Sequence, residues 1–220
     1  AEPGECLGTL DEVERFLPPT SPTKVVAVGL NYRDHAEEVG LPIPEEPLIF
    51  IKPSTSVVGH GDPVVYPGVM TKRVDYEAEL GIVIGKRCRS VSPEDALGYV
   101  LGYTCANDVT ARDLQSKDGQ WTRSKSFDTF CPLGPFVVSG VDPSDLEITM
   151  LVNGKVVQHS RTSNFIFPVP VLVSHISHVM TLEPGDVIIT GTPAGIGPVK
   201  KGDLMRVEIE RLGALENRVE

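Results

Sequence analysis

Apolar and acidic residues alternate along one stretch of the chain, residues 75–85. Because successive side chains of a strand point to opposite faces, this period of two predicts a β-strand. One face collects an apolar row that should look into a core, namely Tyr76, Ala78, Leu80, Ile82 and Ile84. The other face collects three carboxylates with no lysine or arginine between them, namely Asp75, Glu77 and Glu79. From this pattern alone, the acidic face is either solvated, which is the common case, or part of a site for a hard metal ion.

Short strands separated by turns account for most of the remaining pattern, in keeping with 21 glycines and 19 prolines. Apolar runs of strand length predict further strands at 24–29, 47–51, 99–106 and 187–190. The strongest local signal is the pair Asn153-Gly154, which lies between two alternating runs and predicts a hairpin with a type I′ turn. A second hairpin is predicted from strands at 204–210 and 215–219. The pattern therefore predicts a mostly β protein with short helices, of the α+β class.

The predicted helices are short, apart from one near the C-terminal third of the chain. Thr9 and Glu12 have the spacing of a capping box, which predicts a helix to about residue 17. Helical composition predicts further helices or helical turns at 31–39, 92–96, 110–117 and 168–180. The polar and aromatic stretch 121–128 is predicted to be irregular, and Lys125 within it would by itself be a solvated amine.

The chain shows no internal repeat, no low-complexity tract and no linker after residue 24. We therefore expect residues 1–23 to be a short preface, made of a helix and a proline-rich connector. Residues 24–220 are expected to form a single domain, because this length suffices for one sizeable core.

The chain carries a formal net charge of −10 at pH 7, which argues against a nucleic-acid partner because such binding needs a basic surface. An anionic small molecule is not excluded, since a bound divalent cation would reverse the local field. The four cysteines are scattered, as is typical of reduced thiols, and no apolar run approaches the length of a membrane span. With no recognisable signal peptide, we expect a cytoplasmic protein without a membrane partner.

Other groups of residues have spacings that are compatible with a catalytic, metal-binding or anion-binding site but do not require one. His35 and Glu38 lie three residues apart on one face of a predicted short helix, where such a pair is usually a surface hydrogen bond. Glycine and proline residues after that helix would suit a movable lid, which favours a catalytic role. His175 and His178 share a face of the long helix without a carboxylate nearby, so we expect packed polar tips rather than metal ligands. The loop 191–197 lacks the lysine of a phosphate-binding loop, although a turn there would present backbone amides.

Several separated motifs, taken in order, carry a resemblance to a known family. They are Gly29-Leu30-Asn31-Tyr32-Arg33-Asp34-His35, Phe50-Ile51-Lys52-Pro53-Ser54-Thr55, Tyr76-Glu77-Ala78-Glu79-Leu80-Gly81, Asn107-Asp108-Val109-Thr110-Ala111-Arg112-Asp113, Lys125-Ser126-Phe127-Asp128 and Gly185-Asp186-Val187-Ile188-Ile189-Thr190-Gly191-Thr192-Pro193. Any one of these motifs would be weak evidence, but the whole series resembles the fumarylacetoacetate hydrolase family in its short single-domain form. The similarity runs from about Val25 to the C-terminal end.

This resemblance implies a mixed β-roll for residues 24–220, of the type found in that family's C-terminal domain, and it implies a homodimer. It also implies a Mg²⁺ or Mn²⁺ ion held by carboxylates at Glu77, Glu79 and Asp108. Hard divalent cations prefer oxygen ligands, which agrees with this set. Asp75 shares the acidic face but not the family's motif, so we leave it out of the predicted ligands.

By the same resemblance, His35 and Glu38 form a dyad on a lid that orders when the ligand binds. Glu38 would orient the imidazole of His35, which would activate water or transfer a proton. Lys125 would face the oxygen atoms of the substrate as an electrostatic stabiliser. Further residues would complete the pocket, namely Arg112, Gln115 and Thr192. The implied substrate is a small anionic 2-oxo or enol carboxylic acid.

The implied metal suggests the chemistry. A 2-oxo acid can chelate it through one carboxylate oxygen and the C2 oxygen, so that the cation stabilises an enolate when a bond at C3 breaks. Isomerisation, decarboxylation and hydrolytic C–C cleavage can all pass through that enolate. The resemblance therefore implies a metal-dependent enzyme more directly than it implies one reaction.

One departure from the family's pattern bears on that choice. Acylpyruvate hydrolases resemble Gly-Arg-Asn-Tyr where the lid begins, whereas this chain has Leu30 after Gly29. Sequences with leucine there look more like the aromatic-degradation enzymes that isomerise 2-hydroxyhepta-2,4-diene-1,7-dioate and decarboxylate its precursor, 5-oxopent-3-ene-1,2,5-tricarboxylate. We therefore expect this protein to catalyse that isomerisation and decarboxylation, as part of aromatic catabolism. Acylpyruvate hydrolysis, oxaloacetate decarboxylation and, more remotely, non-catalytic binding on the same scaffold stay open.

Overall fold

The computed structural model describes Thr9 and residues 12–220, in which short strands predominate. The strands of this part of the chain are β1 (Val25–Gly29), β2 (Leu48–Lys52), β3 (Val57–Val58), β4 (Val74–Tyr76), β5 (Ala78–Ile84), β6 (Val100–Asn107), β7 (Thr110–Ala111), β8 (Cys131–Val138), β9 (Glu147–Val152), β10 (Lys155–Arg161), β11 (Val187–Ile189), β12 (Gly197–Val199), β13 (Leu204–Ile209) and β14 (Gly213–Arg218). Its α-helices are α1 (Arg33–Val39), α2 (Arg112–Asp118), α3 (Thr122–Lys125) and α4 (Val169–Val179). The predicted mostly β, α+β class is confirmed.

The strands of the described residues form three sheets. The largest has seven strands in the order β2-β1-β11-β5-β6-β8-β3. It is mixed, because β1 pairs with β11 and β3 with β8 in parallel, whereas its other neighbouring pairs are antiparallel. The second sheet has the order β10-β9-β13-β14 and the third has the order β12-β4-β7. Segments distant in sequence are therefore brought together around the central strand β5.

Strand β5 is buried along its whole length. Leu80, Ile82 and Ile84 belong to the larger apolar cluster, whereas Val83 belongs to a smaller cluster on the opposite face of the sheet. A strand buried on both faces is apolar nearly throughout, so Glu79 is the exception that needs an explanation.

The acidic stretch is not one strand with a solvated face. It divides at Glu77 into β4, which lies in the three-stranded sheet, and β5, which lies in the seven-stranded sheet. Asp75 is 0% exposed, Glu77 6% and Glu79 1%. The interpretation as a solvated face is therefore wrong. Other segments of the chain cover these carboxylates and supply cations that the strand's own sequence does not show.

Most local predictions are confirmed. Asn153 and Gly154 both have positive φ, 51° and 77°, as the type I′ turn between β9 and β10 requires. The C-terminal hairpin forms from β13 and β14. Helix α1 ends at Gly40, which takes the left-handed conformation with φ 65°.

Two local predictions are wrong. The amide of Thr9 donates to Oε2 of Glu12 at 2.7 Å, but residues 13–17 are not helical; residues 10 and 11 of the predicted helix lie outside the described residues. Phe16 instead packs edge-to-face against Phe136, so tertiary contacts override the capping signal. The stretch 121–128, predicted to be irregular, contains the helical turn α3.

Helix α4 is the long helix that was predicted around residues 168–180. His178 is exposed, and its Nδ1 contacts the carbonyl oxygen of Ser174, one turn earlier in the helix, at 2.9 Å. In the described part of the chain, no helix is long and apolar enough to cross a membrane.

Candidate active site

Three buried carboxylates meet where the sheets join. Glu77 lies between β4 and β5, Glu79 lies in β5, and Asp108 directly follows β6. The register of β5 with β6 pairs Ala78 with Asn107, and the amide of Asp108 donates to the carbonyl of Glu77 at 2.9 Å. One oxygen from each of the three carboxylates lies within 4.8 Å of the others. The structure thus brings together the three residues predicted as metal ligands.

Each of these carboxylates has one oxygen held by a donor from another part of the chain. Oε2 of Glu79 accepts from the amide of Gly191 at 2.7 Å. Oδ1 of Asp108 accepts from Nζ of Lys52 at 2.5 Å. Oε1 of Glu77 accepts from Oγ1 of Thr110 at 3.1 Å, and from Arg112 as well. These contacts fix the orientation of the carboxylates before any ligand binds.

Lys125 contacts two of the three carboxylate oxygens that those donors do not hold. Its Nζ lies 2.9 Å from Oε2 of Glu77 and 2.6 Å from Oδ2 of Asp108. The side chain is almost wholly buried, and its ammonium lies 5.1 Å from the ring centroid of Phe50. The interpretation of Lys125 as a solvated amine is therefore wrong. Helix α3, missed in the sequence, is the element that directs this lysine inward.

The charges around the triad divide its carboxylates into two kinds. Burial raises the pKa of Glu77, but Lys125 and Arg112 outweigh it and lower the pKa to about 2. Burial, followed by the charges of Asp108 and Glu77, raises the pKa of Glu79 well above its ordinary value. Within the described part of the chain, Glu79 accepts a hydrogen bond from the Gly191 amide alone and from no cationic side chain, which explains the contrast.

Half-buried Arg112 pairs with buried Asp75 beside the triad. Nε of Arg112 donates to Oδ2 of Asp75 at 2.9 Å, and its Nη2 contacts Glu77. Asp75 also accepts from Nε of Arg73 at 2.8 Å. Asp75 does not belong to the metal-binding cluster, in agreement with its exclusion from the predicted ligands. Nη1 of Arg112 donates to Oε1 of Gln115 at 2.5 Å, so both predicted pocket residues hold one another in place.

The predicted dyad on α1 is present. Nδ1 of His35 lies 2.8 Å from Oε2 of Glu38, which leaves Nε2 as the nitrogen available for proton transfer. Oε1 of Glu38 accepts from the amide of Gly195 at 2.9 Å, and Oδ2 of Asp34 accepts from Oγ of Ser160 at 2.6 Å. Helix α1 is thus held at both of its ends in the position that brings His35 to the site.

A cavity of about 360 Å³ lies over the triad, a volume typical of small-molecule sites. Eight of the nine predicted site residues line it, namely Glu77, Glu79, Asp108, His35, Lys125, Arg112, Gln115 and Thr192. Glu38 is the ninth; its carboxylate is turned to His35 and Gly195 instead.

Two buried residues with direct contacts to this site were missed. Lys52 is 0% exposed, although it ends a strand, where lysine usually reaches solvent. Gln158 donates from Nε2 to Oγ1 of Thr192 at 2.8 Å and accepts from the amide of Ala78 at 3.0 Å, so it ties the loop after β11 to the start of β5. Lys52 lies in one of the family's motifs, which could have identified it as a site residue. Gln158 lies in a strand outside those motifs, and nothing in its sequence pattern indicates a role in the site.

The triad suits a hard divalent cation. Its donors are oxygen atoms, the three carboxylates are buried, and their outer oxygens are already fixed by the protein. Mg²⁺ and Mn²⁺ prefer such ligands over nitrogen or sulfur. Glu77, Glu79 and Asp108 would therefore hold the ion that the sequence motifs imply.

Comparison with known proteins agrees with the family resemblance of the sequence motifs. The model of the fumarylacetoacetate (FAA) hydrolase C-terminal family matches residues 24–220. A solved structure named 5-carboxymethyl-2-hydroxymuconate delta-isomerase, from Mycobacterium smegmatis, is 51% identical with a TM-score of 0.88, and the match covers 93% of this chain and 81% of that chain. One named 2-hydroxyhepta-2,4-diene-1,7-dioate isomerase, from Mycobacterium marinum, is 50% identical with a TM-score of 0.87, and the match covers 93% of this chain and 77% of that chain.

A relative with a different name is nearly as similar. The mitochondrial oxaloacetate tautomerase of Xenopus laevis is 46% identical over 219 residues, which are 94% of this chain and 68% of that protein. Relatives of one family thus bear names for isomerisation of several 2-oxo and enol acids. From the match over residues 24–220 and these identities, we conclude that the chain belongs to the fumarylacetoacetate hydrolase family.

Proposed function

We propose that this protein is a divalent-metal-dependent isomerase of 2-hydroxyhepta-2,4-diene-1,7-dioate and similar 2-oxo or enol acids. Decarboxylation of the related tricarboxylate is part of the same proposal. The observation that carries it is the buried triad of Glu77, Glu79 and Asp108, which lies on the floor of a cavity that His35 and Lys125 also line. The names of the two isomerase structures support this choice of reaction.

The chain's own residues supply the means to move a proton. Isomerisation takes a proton from the C2 hydroxyl and adds one to a carbon of the conjugated chain, so no oxidant or reductant is needed. A divalent cation bound to the triad would stabilise negative charge on the C1 carboxylate and the C2 oxygen. His35, oriented by Glu38 through its Nδ1, would carry the proton on Nε2. The Lys125 ammonium would stabilise negative charge on the substrate's oxygen atoms.

A second candidate is the interconversion of keto and enol forms of oxaloacetate. The names of relatives from Xenopus laevis and Rattus norvegicus, 46% and 45% identical, favour it. The same proton transfer would serve both reactions, because each moves a proton between the C2 oxygen and a carbon atom.

A substrate panel tests the proposal. Purified protein is freed of metal with a chelator, and turnover is followed with the dienedioate, its tricarboxylate precursor, oxaloacetate and an acylpyruvate. We expect turnover of the dienedioate only after Mg²⁺ or Mn²⁺ is restored. Absence of turnover of every compound with either metal would refute the enzymatic proposal. Preferential cleavage of the acylpyruvate would replace isomerisation with hydrolysis.

Metal binding is tested separately from activity. We expect Glu77→Ala to abolish Mn²⁺ binding measured by calorimetry. If both metal and ligand binding were unchanged in this variant, the protein would be a binding module on the same scaffold.

A further inference from the structure

The lining of the cavity over the triad is of two chemical kinds. The polar part is the triad with the residues around it. The apolar part consists of Val28, Leu30, Val39, Leu41, Phe50, Trp121 and Ile196. Val39 is 40% exposed and Leu41 56%, so they lie at the mouth of the cavity. A substrate whose C1 and C2 oxygens bind at the triad would extend along the apolar lining toward this mouth.

Among the described residues, each lysine and arginine that lines the cavity is already paired with carboxylates of the protein, so none is free to bind a second carboxylate of the substrate there. The lysine and the arginine in this lining are Lys125 and Arg112. Lys125 is bound to Glu77 and Asp108, while Arg112 is bound to Asp75 and Glu77. A carboxylate placed against the apolar lining would lose its hydration without gaining a cation, which is costly.

Trp121 is held firmly as part of this apolar lining. Its indole packs edge-to-face with Phe50, with ring centroids 5.2 Å apart. It also lies directly against Gly29, where an added Cβ would be 2.8 Å from the ring atom Cζ3. The backbone at Gly29 therefore leaves room for the indole, which these contacts hold in a fixed position in the cavity's lining.

Leu30 projects into the cavity from an unusual backbone conformation. Its φ is 51°, in the left-handed region that bulky residues rarely adopt. Such strain persists only where the surrounding structure imposes it, and it is most frequent at binding sites. The next residue, Asn31, fixes the turn: it accepts from the amide of Phe167 at 2.8 Å and donates to the carbonyl of Thr190 at 2.8 Å.

We propose that Leu30 and Trp121 are specificity-determining residues, which select acids with a hydrocarbon segment directly beyond C3. A second carboxylate would be accepted only when this segment carries it to the mouth of the cavity. The inference rests on the proposed function, because it assumes that the 2-oxo or enol end of the substrate binds at the triad. It distinguishes between that function's two candidate substrates. The dienedioate has a hydrocarbon segment at C4 to C6, whereas oxaloacetate has its carboxylate carbon directly after C3.

Isomerisation of three acids by the Mg²⁺-loaded protein tests this selection. They are 2-hydroxypenta-2,4-dienoate, which has no second carboxylate, 2-hydroxyhepta-2,4-diene-1,7-dioate and oxaloacetate. We expect kcat/KM for either dienoate to exceed that for oxaloacetate by about tenfold or more. Equal or better use of oxaloacetate would overturn the inference and leave the proposed function intact. No turnover of any of the three acids would instead refute the proposed function.

Substitutions at Leu30 test the residue itself. Leu30→Arg adds a cation to the apolar part of the lining, and we expect it to shift the kcat/KM ratio toward oxaloacetate by about tenfold. Leu30→Asn suits the left-handed backbone without adding charge, and we expect it to lower kcat/KM for the dienoates without raising that for oxaloacetate. Leu97→Arg is the matched control, because Leu97 is 47% exposed and lines a different depression; it should leave the ratio unchanged.

An unchanged ratio in both Leu30 variants would show that this residue does not determine specificity. If Leu30→Arg failed to fold, Leu30→Asn would decide by itself. Circular dichroism and the melting temperature of each variant separate a change in specificity from a loss of fold.

Discussion

Lys52 has no solvent-exposed surface, and its ammonium binds both the Asp108 carboxylate and the carbonyl oxygen of Val109. Asp108 has two cationic partners, Lys52 on Oδ1 and Lys125 on Oδ2. Removing one partner of a buried ion pair is strongly destabilising, more so than the loss of the pair as a whole. Lys52 thus contributes a charge that allows the triad to exist inside the folded chain.

We expect Lys52→Met to lower the free energy of unfolding of the metal-free protein by about 3–5 kcal/mol. The double variant Lys52→Met/Asp108→Asn should recover part of this loss, because it removes the carboxylate that has lost one of its two cations. Urea denaturation of the three proteins without metal measures both effects. A loss in the double variant as large as in the single variant would show that packing, not charge, makes Lys52 important.

Asp186 has a comparable structural role far from the triad. The residue is buried, and its carboxylate accepts from Oγ1 of Thr23 at 2.7 Å and from the amide of Glu183 at 2.9 Å, besides contacting Lys24. Burial raises the pKa of Asp186, but Lys24 and these hydrogen bonds outweigh it and hold the pKa below its ordinary value of 3.8.

A pKa that is lower in the folded than in the unfolded chain makes stability depend on pH. The contribution of Asp186 is fully present above the ordinary carboxyl value, and it is lost as the pH falls through the lower folded value. We expect Asp186→Asn to be less stable than wild type by about 2 kcal/mol between pH 5 and 8, with the difference shrinking below about pH 4. Urea denaturation at each pH measures this. A difference that stays constant into acid would contradict it.

Among the elements, α1 has the clearest functional assignment, since it carries His35 and Glu38. Its attachment to Ser160 and Gly195 fixes the imidazole over the cavity. In the proposed mechanism, proton transfer uses that imidazole, whereas decarboxylation releases CO₂ without an activated water.

We therefore expect His35→Ala to lower kcat for isomerisation by about 100-fold or more, and kcat for decarboxylation much less. Steady-state assays with both substrates at saturating Mg²⁺ provide the comparison. Glu37→Ala is the control, because that side chain is exposed on the same helix and does not line the cavity. Equal losses in both reactions would show that His35 does not act through proton transfer.

At the scale of the whole molecule, the sequence predicted the parts of the site that lie in motifs. Glu77, Glu79 and Asp108 were identified because hard-metal chemistry and the family's motifs agree on them. The burial of the acidic face was not predictable, since Lys52 and Arg112 come from separate segments. The strained φ of Leu30 was equally inaccessible, because the tertiary contacts of Asn31 impose it. The homodimer stays a prediction.

The donors that fix the outer oxygens of the triad have a consequence for folding kinetics. Lys52, Thr110 and Gly191 come from widely separated positions in two different sheets and a loop, and they meet only when these parts have come together. Forming contacts between distant segments is slow and comes late in folding. A cation that needs the finished floor of the cavity has little to bind in the folding transition state. Bound metal would therefore lower the unfolding rate of the folded protein without raising its folding rate.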